Sequence, residues 1–225
     1  MIRGFGASRT GMAVEQSRLD VIGNNVANVN TNGFKRSVAV STEFAALLLH
    51  RVDQRKEEAP VIGQLGQGTR LDQVTPDATQ GALDITGGPL DAALSGPGEF
   101  VYQGPGGQPG YTRNGAFQRD VQGRLVTGEG YPVLVGGAPV GAGARDLRIT
   151  GDGVVMADGQ AVGRLDLRGG AATRIEAGAL ERSGVDLAVE MTDMIIAMRS
   201  FQANQRALQS QDETLARAVT DIGRL

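Results

Sequence analysis

His50 is the one imidazole in this 225-residue chain, and there is no cysteine. Cys/His zinc sites, disulfide frameworks and Cys–His nucleophile pairs are therefore excluded. A histidine can act as a general base beside a nucleophile, but no G-x-S-x-G elbow accompanies this one. It closes the run Leu47-Leu48-Leu49-His50-Arg51, which reads as the end of an amphipathic segment with a solvent-side imidazole. Asp152 and Asp158 are the next candidates, as calcium ligands. The D-x-D-x-D-G pattern and its distant bidentate Glu are missing, so both read as turn residues. The 34 glycines raise the idea of a phosphate cradle, yet neither G-x-x-x-x-G-K-[ST] nor G-x-G-x-x-G occurs. No catalytic residue, metal ligand or cofactor site emerges. The chain reads as a non-enzyme.

Charge and hydropathy narrow the partners. Lys+Arg 22 against Asp+Glu 25 gives a net charge of -3, without the basic excess of a nucleic-acid or anionic-membrane binder. The longest dense apolar stretch, Phe44 to Leu49, falls far short of the roughly 18 residues of a membrane span. Met1 to Ser8 lacks the apolar region of a secretory signal. The expectation is no nucleic-acid partner, no direct membrane insertion and no cleaved signal peptide.

Glycine and proline divide the chain. Of the 34 glycines, 27 lie between Pro60 and Leu180, and all eight prolines lie between Pro60 and Pro139. Val185 to Ile222 contains neither. Because both residues break helices and mark turns, the pattern predicts helical ends around a turn-rich β middle. Strands are expected at Thr69–Val74, Glu99–Tyr102, Arg124–Thr127, Leu147–Thr150, Gly153–Met156 and Ala161–Leu167. Asn114-Gly115 and Asp158-Gly159 are the hairpin-turn signals.

The C-terminal end has the clearest periodicity. Steps of four and three pass through Leu187, Met191, Met194, Met198, Phe201, Gln205, Leu208, Asp212, Leu215, Val219 and Ile222, nine of them apolar. That is a coiled-coil heptad seam. Ser183 to Asp186 supplies an N-cap and an early acid, and Gly223 a stop. The N-terminal residues Phe5, Ser8, Met12, Glu15, Leu19, Ile22, Val26 and Val29 repeat the step, so the two ends can pair as a coiled coil. Separate docking of each helix onto the β middle is the alternative.

Between the N-terminal helix and the middle lies Leu19-Asp20-Val21-Ile22-Gly23-Asn24-Asn25-Val26-Ala27-Asn28-Val29-Asn30-Thr31-Asn32-Gly33-Phe34-Lys35-Arg36. Asn tolerates the left-handed backbone and bonds its own chain, so this run ends a helix in a fixed corner, with Phe34 as a buried anchor. The run resembles the N-terminal signature of the flagellar rod and hook family of axial proteins. Tyr111-Thr112-Arg113-Asn114-Gly115-Ala116-Phe117 and the stretch to Val133 resemble the family's β-domain hairpins. Gly178-Ala179-Leu180-Glu181-Arg182-Ser183-Gly184-Val185-Asp186, running into Met191-Thr192-Asp193-Met194-Ile195, resembles the entry to its C-terminal helix. Met1-Ile2-Arg3, Gly11-Met12 and Pro60 to Arg70 are closest to distal-rod members; Met191 to Ile195 and Tyr111 to Gly115 are closer to proximal-rod ones. Gly23 and Ser95-Gly96-Pro97-Gly98-Glu99-Phe100 depart from the family pattern, and Leu167 to Gly178 is short.

The resemblance implies an α+β fold, with long terminal helices pairing as a coiled coil around an inserted, mainly antiparallel β domain. The expected divisions are 1–33 for helix and corner, 34–68 for a connecting segment, 69–178 for the β domain and 179–225 for the last helix. It further implies a structural subunit of the flagellar basal-body rod, the drive shaft from motor to hook, in the periplasm-spanning part of the flagellum. Expected partners are copies of itself in a helical homo-oligomer, other rod and hook proteins, and the flagellar type III export apparatus. No cofactor is expected. The expected assembly residues are Phe5, Met12, Leu19, Ile22, Val26, Asn28, Asn30, Gly33 and Phe34, with Leu187, Met191, Met194, Met198, Phe201, Leu208, Leu215 and Val219. A free-standing cytoplasmic coiled-coil adaptor is the rival of a different class, and the Asn-rich corner and β motifs speak against it.

Overall fold

The computed structural model describes residues 2–43, 47–50, 61–66, 68–141, 143–169 and 173–222. N- and C-terminal helices flank a mainly antiparallel β domain in sequence, and the chain forms two compact units. One unit takes the described residues of Met1–Val26, Ser37–Pro76 and Leu187–Leu225; the other takes Ala27–Arg36 and Asp77–Asp186.

In the first unit, helix α1 spans Ile2–Ala27 and helix α2 spans Leu187–Ile222. Without Gly or Pro, α2 runs 36 residues, about 54 Å at 1.5 Å per residue. Asp186 precedes its first residue and Glu190 lies in its first turn, where acids favour the helix dipole. The expected stop, Gly223, lies outside the described residues. No described helix is long and apolar enough to cross a membrane.

The two helices meet in antiparallel order. Asn25 on α1 bonds Glu190 on α2 at 3.2 Å. A Cβ at Gly11 would lie 3.0 Å from the Asn204 amide nitrogen, and one at Gly4 would lie 3.0 Å from that of Gln211. Each seven-residue step along α1 is thus matched by a seven-residue step back along α2.

Among the described residues, four strands belong to this unit: β1 (Ser37–Glu43), β2 (Leu47–His50), β3 (Val61–Leu65) and β4 (Thr69–Pro76). β1 pairs antiparallel with β4 across a bulge after Val40, and β2 pairs with β3. The stretch expected to be a connector therefore carries strands, and His50 ends one of them. Gly68, just before β4, sits against α1: a Cβ there would strike the Thr10 hydroxyl and lie 3.3 Å from the Ala7 Cα.

The second unit carries short strands in the order β5 (Leu83–Ile85), β6 (Ala92–Ser95), β7 (Glu99–Gln103), β8 (Pro109–Thr112), β9 (Gln118–Arg119), β10 (Leu125–Val126), β11 (Leu134–Val135), β12 (Ala138–Pro139), β13 (Leu147–Ile149), β14 (Val154–Ala157), β15 (Gln160–Arg164), β16 (Leu167–Arg168), β17 (Arg174–Ala177) and β18 (Ala179–Glu181). They form small antiparallel sheets, with returning strands closing the early ones: β5 with β18, β6 with β17, and β16 with β7 and β8. The core buries Leu94, Phe100, Leu125, Val133 and Val155 completely, with Phe100 edge-on to Phe117 at 5.0 Å.

The two turn signals part ways. Asp158 and Gly159 both take positive φ, +50° and +82°, in the β14–β15 turn. Asn114-Gly115 makes no such turn. Gly115 lies against β6, accepting a bond from the Ala92 N–H at 3.1 Å, and a Cβ there would strike the Ala92 carbonyl. Glycine is needed at that position for a close backbone approach, which the same dipeptide does not distinguish from a hairpin.

Candidate functional site

The second unit is organised at one end by a buried carboxylate. Glu181, at the end of β18, has a side chain 1% exposed. Its Oε1 accepts the Lys35 ammonium at 2.6 Å and the Gly81 N–H at 2.8 Å. Its Oε2 accepts Nε of Arg113 at 2.6 Å. Both cations hold further partners: Lys35 bonds the Thr79 carbonyl at 2.7 Å, and the Arg113 fork reaches the Gly98 and Gly96 carbonyls at 2.8 Å each. The atypical Ser95–Phe100 stretch thereby has a task, because its carbonyls receive the guanidinium. Burial pushes the Glu181 carboxyl upward, but the Lys35 and Arg113 bonds outweigh it and hold the group below its ordinary value.

The backbone corner closes on the same point. Thr31 and Phe34 donate to the Asn28 and Thr31 carbonyls, and the Thr31 hydroxyl bonds the Asn28 side chain at 3.1 Å. Gly33 is buried at φ +70° and donates to the Glu181 carbonyl at 2.7 Å. A Cβ at Gly33 would strike the Arg113 carbonyl oxygen and lie 2.5 Å from its carbon. Phe34 is half-buried rather than the buried anchor expected. Its backbone does the anchoring, accepting the Gly184 N–H at 2.9 Å. Asn28 is half-buried and Asn30 exposed.

The helical residues distribute differently. On α1, Ile22 is buried, Met12, Leu19 and Val26 are half-buried, and Phe5 is exposed. On α2, Met194, Phe201 and Leu208 are half-buried, whereas Leu187, Met191, Met198, Leu215 and Val219 are exposed. Gly4, Gly11 and Asn25 lie opposite Gln211, Asn204 and Glu190, one residue before Phe5, Met12 and Val26 on α1 and before Asp212, Gln205 and Met191 on α2. Ala197, at the same repeat as these α2 residues, is fully buried while the next residue, Met198, is 49% exposed.

Periodicity missed Lys35, Arg113, Glu181, Asn25 and Glu190. The available signal was that the Asn-rich run, the Tyr-Thr-Arg-Asn-Gly run and the Gly-Ala-Leu-Glu run each carry a charge inside an otherwise small or uncharged motif. Among the described residues, no three His, Asp or Glu side chains group to hold a metal ion.

Three family models match the chain, each covering one of those motifs. The flagella basal body rod protein model matches residues 7–35, including Lys35. The flagellar hook protein FlgE/F/G D1 domain model matches 93–157, including Arg113. The flagellar basal body rod FlgEFG protein C-terminal model matches 176–221, including Glu181. The flagellar basal-body rod protein FlgG of Bacillus subtilis is 32% identical over 97% of this chain and 98% of its own. That of Buchnera aphidicola from Schizaphis graminum is 31% identical, over 96% and 98%. The Bacillus subtilis flagellar hook-basal body complex protein FlhP is 27% identical, over 96% and 97%. The chain belongs to the flagellar basal-body rod FlgEFG family, as a structural subunit of the rod and not an enzyme.

Proposed function

We propose that the chain polymerises with copies of itself and with other rod and hook subunits through its helices, forming the drive shaft between motor and hook. In this reading α1 and α2 act as a coiled-coil pair, and the subunit leaves the cell through the flagellar type III export apparatus without losing a signal peptide. The supporting observation is the apolar face that pairing leaves open. Successive helical residues turn by about 100°. Two antiparallel helices seen from one end turn in opposite senses, so the residues after each contact position fall on the same side of the pair. Val26 joins Met191 there, and Leu19 joins Met198. Met191 and Met198 are 54% and 49% exposed, with Ile195 beside them at 52%.

Burying one such side chain between subunits contributes about 1.5–3 kcal/mol, repeated at every subunit of a filament. Met198→Asp would place a charge in that contact at a cost of several kcal/mol. Cells carrying it are expected to make and export the protein but to lose rods and swimming. Thr214→Asp, exposed and turned about 160° around α2 from Met198, is expected to swim. Equal swimming by both variants would remove this face from assembly.

A further inference from the structure

Asn25 is 1% exposed, and its amide joins three elements of the first unit. Its Oδ1 accepts the Ser37 N–H at 2.9 Å, and its Nδ2 donates to the Ser37 carbonyl at 2.9 Å and to Glu190 Oε2 at 3.2 Å. The end of α1, the start of β1 and the first turn of α2 are tied at one side chain. Glu190 is fully buried. From there the helices meet through glycines facing amides, Gly11 at Asn204 and Gly4 at Gln211.

An apolar heptad repeat does not by itself fix this register, because it recurs after a slip of one heptad. Sliding α2 by one heptad in one direction sets Asn25 opposite Ala197, which offers its amide nothing. Sliding it in the other direction brings Glu190 opposite Arg18 and moves Asn25 past the start of α2. Each slip parts a buried polar group from its partner. Buried polar residues at helix–helix positions are an established way of specifying register at some expense in stability.

We propose that Asn25 and Glu190 are the register-setting pair of this rod subunit, and that the glycine–amide contacts hold the register they set. Building on the assembly reading above, the pair brings Leu19 level with Met198 and Val26 level with Met191, so that the two helices present one continuous face.

The chain has no cysteine, so introduced pairs report register against a clean background. In the full-length monomer, Gly11→Cys with Asn204→Cys marks the native register, and Gly4→Cys with Asn204→Cys marks a one-heptad slip. The native pair is expected to cross-link within the chain. Asn25→Leu is expected to lower that yield about fivefold or more, the effect of one lost buried hydrogen bond, and to raise the slipped product. Asn25→Asp alone sets two carboxylates together and is expected to do the same. Adding Glu190→Gln returns a donor–acceptor pair between the two positions, while the bond to the Ser37 carbonyl stays lost, and is expected to recover the native cross-link in part, which a variant that merely unfolded could not show. Unchanged native cross-linking in Asn25→Leu, or no rescue by the exchange, overturns the proposal. Because the readout is monomeric, it stands apart from assembly: correct register together with a swimming Met198→Asp variant would refute the assembly face and leave the register pair intact.

Discussion

Gly33→Ala tests whether the corner is built as tightly as its geometry requires. Gly33 and Gly106 lie in the same unit and share φ +70°, yet their surroundings differ. Nothing lies within 4 Å of a Cβ built on Gly106, so Gly106→Ala meets only the left-handed penalty of roughly 1–2 kcal/mol. A Cβ on Gly33 meets the Arg113 carbonyl group and lies 2.9 Å from the Asn114 nitrogen, all backbone atoms. Relief requires moving either the corner or the 113–115 segment. Either movement strains the 2.7 Å bond from Gly33 to the Glu181 carbonyl and the 2.6 Å bond from Arg113 to its carboxylate. Losing one buried bond adds about 1–3 kcal/mol to the backbone penalty, for a total near 3–4 kcal/mol. For a unit of this size, each kcal/mol lowers the melting temperature by about 4–8 °C. Thermal unfolding of the two variants should therefore separate by about 10 °C or more, with Gly33→Ala the lower. Equal melting temperatures would mean that the close approach to Arg113 is not a constraint and that Gly33 serves only its φ.

Acid should find the Glu181 cluster. A carboxyl held below its ordinary 4.5 stabilises the fold above that value, and the contribution is lost as pH falls through the lowered folded value. Glu181→Gln should flatten the decline of stability below pH 4.5 and cost about 3–5 kcal/mol at neutral pH, where Lys35 and Arg113 lose their counter-charge. An unaltered pH profile would put the acid sensitivity elsewhere. Limited trypsin digestion of the monomer should cut at Arg199 and Arg206, both exposed, and at Arg18 before it cuts the β unit. The apolar residues buried on the described helices are only Val14, Ile22 and Ala197, and helices with so little packing are marginal in water. Resistance of the helices to trypsin would show that they are stable before assembly.

The C-terminal helix was legible because heptad spacing and the absence of Gly and Pro agree, and α1 from its heptad spacing and lack of Pro despite four glycines. The stretch expected as helix from Val185 to Ile222 forms α2 from Leu187 to Ile222. Which side of each helix meets the other was not legible. The contact positions hold Gly4, Gly11, Asn25, Glu190, Asn204 and Gln211, and a search for apolar period passes over all six. Glycine permits close approach and amides supply bonds, so these residues suit a contact without being hydrophobic. Of the apolar residues beside them, Phe5 and Met191 are open to solvent, and Met12 and Val26 are half-buried. β1 was missed for a related reason: Val38-Ala39-Val40 is a short apolar run, and its partner Gln73-Val74-Thr75 lies beyond a long intervening segment with no compact turn signal.

The Glu181 cluster was present in the sequence only as three separate motifs. Lys35 and Arg113 lie 146 and 68 residues from Glu181, so no local pattern joins them. Buried ion pairs add little net stability but are costly to break. That asymmetry suits a place where alternative chain paths must be excluded. The chain passes between its two units four times, after residues 26, 36, 76 and 186. On the β side these passages are tied together: Asp77 N–H bonds the Arg36 carbonyl at 2.7 Å, Gly184 bonds Phe34, and Gly33 bonds Glu181. Within the β unit, a carboxylate gripping both Lys35 and Arg113 ties three segments far apart in the chain and keeps them from sliding past one another.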